Sequence, residues 1–407
     1  MNVIGFDSHP RTRVVFGLNS VERLGELAGE LGARKVLLVT DAGLVAAGHV
    51  ERAQSALEAA GLNVAVFDGV QQNPTTCDVD ECLKVARSSR IDLLIGFGGG
   101  SSMDVAKGCN FLLTNGGRMQ DYWGVGKATH PMLPLIAVPT TAGTGSECQS
   151  FALIADERTH QKMACGDPKA APRIALLDPT LTVSQPRHVT ACTGIDAIAH
   201  AVETAVTRPR NELSLLYSRE AFRLTVNNFE RVLEQPDDLA ARAAMQLGAA
   251  FAGTAIELSM LGAAHAAANP LTAHFDMIHG QAVGMILPHD VRFNAEDPTA
   301  RATYRELAMS VGLVENGAAP ANAVNALITR LKQLLTAADM PSSLADGGVA
   351  PDVIPILAIE AAAQWTAQFN PRSIAAADFA ALYRAAWTAG LAPSSKLDSY
   401  DDFGVIY

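Results

Sequence analysis

Positive charge is scarce in this chain: 31 Lys and Arg against 42 Asp and Glu leave a net charge of −11 over 407 residues. With no basic stripe to follow a phosphate backbone, nucleic acid is excluded as an expected partner. Cysteine is sparse too. The six (Cys77, Cys82, Cys109, Cys148, Cys165 and Cys192) lie in the first half, form no C-x-x-C pair and fall short of a secreted disulfide scaffold, so free thiols in a reducing cytoplasm are expected. Long apolar runs are missing. No uncharged run of about 18 residues or more reads as a membrane-spanning helix, and the N-terminal MNVIGFDSHPRTRVVFG lacks the apolar core of a signal segment. The nearest approach, Leu258 to Ala273, is interrupted by His265 and Pro270 and reads as a buried helix. No internal repeat is present. What remains is 49% apolar and 18% charged, a globular composition in a chain long enough for two or three domains.

The first half alternates short apolar runs with longer amphipathic ones. Val14 to Phe16, Val36 to Val39, Val64 to Phe67, Leu93 to Phe97 and Leu135 to Val138 read as strands; Val21 to Glu30, Val45 to Ala60 and Val79 to Ser89 read as helices. Such alternation predicts a mostly parallel, Rossmann-like sheet covered on both faces, with ligands at the carboxyl ends of its strands. Gly98, Gly99, Gly100 and Ser101 follow one strand and open a helix, which lets backbone amides approach an anion at a helix N-terminus. A plain turn between strand and helix reads equally well. Asp41 ends the strand in LLVTDAGL; its carboxylate suits a ribose 2′-hydroxyl and repels a 2′-phosphate, favouring NAD over NADP, or it caps the next helix. Pro139 to Glu147, with Thr140, Thr141 and Thr144, has the hydroxyls and glycines of a loop that wraps a polar ligand.

Beyond Pro186 the alternation gives way to Ala/Leu-rich helical patterns at Thr193–Val206, Leu213–Val232, Leu239–Ala264, Ala321–Ala337, Ile354–Thr366 and Ala375–Ala389. The predicted organisation is an α/β domain over residues 1–186 and an all-α domain over 187–407, ending in a polar, then aromatic tail beyond Gly390. Four of the ten histidines, His265, His274, His279 and His289, crowd into GAAHAAANPLTAHFDMIHGQAVGMILPH. Imidazoles in so apolar a setting need partners, and a divalent ion is one; singly satisfied core or cap histidines are the alternative. His265 and His279 would sit about 21 Å apart on one unbroken helix, but Asn269-Pro270 is expected to break it and let both reach one site. Upstream, Asp196 and His200 share a helix face at i,i+4, which completes a plausible N/O ligand set. Glu203 follows as a fifth ligand, an acceptor behind one of the ligands, or a surface charge.

GIDAIAHAVE and the histidine-rich stretch resemble the metal-binding signatures of the iron-containing (group III) alcohol dehydrogenases. The resemblance implies Asp196, His200, His265 and His279 as ligands of Fe2+ or Zn2+, and a dehydroquinate synthase-like fold. GGGSSMDVAK matches that family's pyrophosphate loop, which brings in Asp104. The resemblance also gives Asp41 the discriminating part at the ribose, sets Thr140, Thr141 and Thr144 against the diphosphate and nicotinamide, and puts Asn73 and Lys162 at cofactor contacts. A surface turn and a solvated lysine explain the last two as well. Asn370-Pro371-Arg372 matches a further block, so recognisable motifs run from Asp41 to Arg372.

The implied activity is an NAD-dependent, metal-dependent alcohol dehydrogenase or aldehyde reductase, moving hydride between nicotinamide C4 and a small alcohol or aldehyde held at the metal. One position departs from the pattern. Where many members carry a histidine four residues after the third ligand, this chain has Asn269, which can hydrogen-bond a substrate or ribose hydroxyl but cannot titrate, so water, the ribose or His274 is the expected proton route. The complete ligand set separates the chain from the similar metal-free maleylacetate reductases. Phe151 and Thr366 suit a small, weakly polar substrate. A polar diol or ω-hydroxy acid, of the lactaldehyde, propanediol or 4-hydroxybutyrate type, is the rival substrate class and would need a cation such as Arg173, Arg210 or Arg372. A metallohydrolase or lyase would leave Asp41 and the glycine triplet without a purpose, and a nucleotide-binding regulator would not need four ligands. At least a homodimer is expected, with no membrane partner.

Overall fold

A computed structural model describes residues 6–159 and 161–388. The tail beyond Gly390 and the end of the helix expected at Ala375–Ala389 lie outside the described residues. The chain divides into two compact units, one holding residues up to Ala201 with Asn211–Ser259, the other holding Val202–Arg210 and the residues from Met260 on.

In the first unit β1 (Arg13–Phe16), β2 (Lys35–Val39), β3 (Asn63–Phe67), β4 (Leu93–Gly98), β6 (Leu135–Pro139) and β9 (Ile174–Leu177) form one parallel sheet ordered β1-β9-β6-β4-β2-β3, while β5 (Gly124–Val125), β7 (Phe151–Ala155) and β8 (Lys162–Gly166) form a smaller one. Between strands run α1 (Leu24–Glu30), α2 (Ala42–Ala46), α3 (His49–Ala59), α4 (Thr76–Ser89) and α5 (Gly100–Asn115). Period-two alternation sorts side chains onto both faces of the larger sheet. Val36, Leu38, Leu93, Ile95 and Phe97 enter the core with Leu24, Leu27 and Leu57, whereas Leu37, Val39 and Leu94 enter the core with Val79, Val105 and Phe111. Burial on both faces is why these strands read as continuous apolar runs. From β2 the chain adds β3 on one side and β4 on the other, so the strand order reverses between β2 and β4, where ligands bind in open parallel sheets.

The antiparallel β7–β8 pair and β9 were not legible as strands: FALIA, KMACG and IALL are short and carry at most one β-branched residue each, a weak strand signal. Helix α6 (Arg187–Thr204) runs from the first unit into the second. In the first unit α7 (Glu212–Glu234) packs on α8 (Leu239–Leu258). Although α8 is long and apolar enough to cross a membrane, its buried Arg242 bonds Thr190 and its Gln246 donates to the Pro139 carbonyl at 3.0 Å, as in a core helix.

The second unit packs α9 (Ala263–Phe275) against α10 (His279–Asn294) and α13 (Ile354–Ala363), with α11 (Pro298–Ser310), α12 (Pro320–Ala337) and α14 (Ala376–Trp387) around them. Two expectations are corrected here. The helix expected over Leu239–Ala264 stops at Leu258, and α9 starts anew after Gly262. Nor does Asn269-Pro270 break the histidine stretch: α9 continues through Pro270 to Asp276, whose φ of 51° ends it in the left-handed region. Proline removes one amide and crowds the preceding turn. The amide lost at Pro270 would have bonded Ala266 O; one residue on, the Ala267 carbonyl accepts a 2.7 Å bond from the buried Tyr383 hydroxyl, which ties this turn of α9 to α14.

Candidate active site

Asp196 and His200 stand one turn apart on α6, both buried, with carboxylate Oδ1 and ring Nε2 at 3.5 Å. His265 is the third residue of α9 and His279 the first of α10; the three-residue turn at Asp276–Ile278, not the proline, reverses the chain and sets their ring centroids 5.4 Å apart. A carboxylate and an imidazole on α6, and two neighbouring imidazoles at the starts of α9 and α10, are the O and N donor types that a divalent ion takes.

Glu203 is neither a surface charge nor in that group. Only 2% exposed, it accepts from the amides of Gly262 (3.2 Å), Ala264 (2.8 Å) and His265 (3.3 Å) through Oε1, and meets His265 Nδ1 through Oε2. Asn370 Oδ1 accepts from Ala263 N at 3.3 Å, so the Asn-Pro-Arg block also serves the start of α9. Of the readings of Glu203, the acceptor behind a ligand is the one that holds; its cap on α9 and the part played by Asn370 were not deduced from sequence. A carboxylate three residues past His200 among Ala, Ile and Val was the available signal, since a helix face that apolar has no water to solvate it.

At the nucleotide side, β4 and β6 pair Gly98 with Pro139, and Thr140 N donates to Gly98 O at 3.0 Å, so the two motif loops emerge side by side. Gly98 has φ 149°, open to glycine alone, and a Cβ there would meet Ser102 Oγ at 2.4 Å. A Cβ on Gly100 would strike Thr144 at 2.8 Å, and one on Gly99 would reach Thr141 at 3.4 Å. This is backbone kept bare at the N-terminus of α5, as an anion cradle requires. Asp41 caps α2, its Oδ1 accepting from Leu44 N at 3.0 Å, so the capping alternative holds for one oxygen of the carboxylate.

Asp104 is buried beneath the cradle. It accepts from Ser146 Oγ at 3.0 Å, and burial raises its pKa against the opposing pull of Lys107. Lys107 donates to Ser146 O, Ser146 Oγ and Phe151 O at 2.7, 2.8 and 2.9 Å, tying α5 to the threonine-rich loop and to β7. Lys162 keeps solvent contact but is crowded by protein, which lowers its pKa, while Asp104 and Asp196 pull it up. Asn73 sits exposed at φ 52° in a turn fastened by Pro74 O accepting from Ala155 N.

Asn269 lies one turn past His265 and donates to Gln364 Oε1 at 3.0 Å. His274 does not join the histidine pair. It is exposed, pairs with Glu360 at 2.8 Å, and lies nine residues along α9 from His265, about 13 Å of helix rise, which removes the geometric basis for a relay role.

Sequence profiles of two families match: "Iron-containing alcohol dehydrogenase" over residues 10–179 and "Fe-containing alcohol dehydrogenase family, C-terminal" over 190–387. The chain belongs to the iron-containing alcohol dehydrogenase family. It is 33% identical to the NAD-dependent methanol dehydrogenase of Bacillus methanolicus over 91% of this chain and 97% of that protein. It is 34% identical to the 1,3-propanediol dehydrogenase of Klebsiella pneumoniae over 91% and 96%. The crystal structure of a 1,3-propanediol oxidoreductase superposes with a TM-score of 0.89 at 33% identity, covering 93% of this chain and 98% of that one.

Proposed function

We propose that this chain interconverts small alcohols and aldehydes with NAD, at an Fe2+ or Zn2+ ion held by Asp196, His200, His265 and His279. The observations that carry the reading are the pairing of Asp196 with His200 at 3.5 Å on α6 and of His265 with His279 at 5.4 Å between ring centroids, in a chain of this family. When bound, the ion supplies Lewis acidity to the reacting oxygen and the nicotinamide takes or returns the hydride.

In this reading residues 1–186 serve the dinucleotide and 187–407 the ion. The amides of Gly98, Gly99, Gly100 and Ser101 receive the pyrophosphate, flanked by Thr140, Thr141 and Thr144, while Asp104 holds that loop from below. Asp41 keeps one oxygen for the ribose and disfavours a 2′-phosphate. Lys162 adds positive charge on the cofactor side, Asn73 borders the cofactor at the Pro74 turn, and Asn269 lends an amide to the substrate hydroxyl. Arg210 is spent on the carbonyls of Val206 and Thr207, and Arg372 on Glu296 and the Phe293 ring, so these two cations count against a polar diol or hydroxy acid and for a small uncharged alcohol. Free thiols at all six cysteines suit a cytoplasmic setting, and a homodimer or larger assembly completes the proposal.

The test is NADH appearance, followed by its near-ultraviolet absorbance, with NAD+ and a panel of two- to six-carbon alcohols and diols before and after chelation. Loss on chelation and return with Fe2+ or Zn2+ is the expected result. Turnover that survives exhaustive chelation, or preference for NADP+, would overturn the corresponding half of the reading.

A further inference from the structure

The start of α9 lacks a side-chain cap of its own, because its N-cap residue is Gly262. Its amides are taken instead by two side chains distant in sequence: Glu203 Oε1 receives Gly262, Ala264 and His265, and Asn370 Oδ1 receives Ala263. Asn370 is itself locked by a reciprocal pair with Asn294, at 3.0 and 2.8 Å. The other oxygen of Glu203 meets His265 Nδ1. A carboxylate oxygen can only accept there, so the ring hydrogen sits on Nδ1 and the Nε2 lone pair is the one left to bind a cation.

We infer that Glu203 is a positioning residue: one buried carboxylate both caps α9 and fixes the tautomer and rotation of His265 for a divalent cation. The inference rests on the reading of His265 as a ligand. It separates Glu203 from Asn370, which caps the same helix without touching the ring.

Full-length, metal-depleted protein is titrated with Zn2+ against a chromophoric chelator, and thermal unfolding of the metal-free form is recorded alongside. In Glu203→Gln the amide oxygen can keep the cap, but the NH2 faces Nδ1 and drives the ring hydrogen to Nε2. Zn2+ affinity is therefore expected to fall about ten-fold or more with the metal-free midpoint largely kept. Co2+ loading gives a second readout, since its visible bands follow the ligand set and should change in Glu203→Gln. Asn370→Ala should lower the midpoint yet leave Zn2+ affinity within about two-fold. If Glu203→Gln does not fold, Glu203→Asp retains the charge without the reach to both His265 Nδ1 and the amides, and should weaken Zn2+ likewise. Unchanged affinity in the Glu203 variant, or equal weakening in Asn370→Ala, overturns the inference while leaving the ligand set standing. His265→Ala binding Zn2+ like the wild type would instead sink the ligand set.

Discussion

Glu147 is a carboxyl that the fold keeps from water: it is 2% exposed, and burial pushes its pKa from 4.5 up to about 7. The unfolded chain releases this proton near 4.5, whereas the folded chain holds it until about 7. The associated stability is thus fully present below 4.5 and declines as pH rises to 7, a loss of order 3 kcal/mol. Gln has the shape of the protonated acid and cannot ionise. Glu147→Gln should therefore match the wild type in thermal midpoint near about pH 4 and exceed it near about pH 8. Parallel midpoints across that range would show that Glu147 ionises normally in the fold. The residue scale is also where sequence was least legible. Asp196 and His200 could be paired from their spacing alone, but the hydrogen-bond partners of Glu203, Asn370 and Lys107 lie 59, 107 and 39 residues away, at distances no local pattern encodes.

At the scale of elements, strands buried on both faces announced themselves, since each needs an uninterrupted apolar run. Pro270 misled for a physical reason: tertiary contacts can hold a helix through a proline, and Tyr383, 116 residues downstream, ties the turn before it through the Ala267 carbonyl. Glycine shows a similar dependence on tertiary surroundings. Gly253 lies within α8, where Ala would ordinarily gain up to about 1 kcal/mol from helix propensity. A Cβ there would, however, stand 2.2 Å from the Gly145 carbonyl oxygen, and Gly145 is itself fixed at φ 62°. Backbone cannot yield as a side-chain tip can, so the clash should outweigh the propensity gain. Gly253→Ala is expected to lose about 2 kcal/mol in urea unfolding. Because the displaced carbonyl follows Thr144, NAD+ affinity by calorimetry should also fall about ten-fold, or roughly 1.4 kcal/mol. A more stable variant would mean the loop moves aside freely.

The whole molecule adds a linkage between its two classes of ligand. Binding to the folded state alone stabilises it by about 2.7 kcal/mol when the ligand is present at a hundred times its dissociation constant. Removing divalent ions from the wild type should therefore lower the thermal midpoint, and adding NAD+ should raise it. The decisive comparison is Asp196→Ala. Asp196 shares its face of α6 with His200, another of the proposed ligands, whereas the glycine cradle at Gly98–Gly100 is built from β4, α5 and the Thr140–Thr144 loop without it. In that variant the chelator should no longer shift the midpoint, yet the NAD+ shift should persist. If instead the metal shift survives, the ion is held elsewhere. If both shifts vanish together, the carboxylate is needed for the fold of α6 rather than for the ion, because a lost ligand alone leaves the cradle intact.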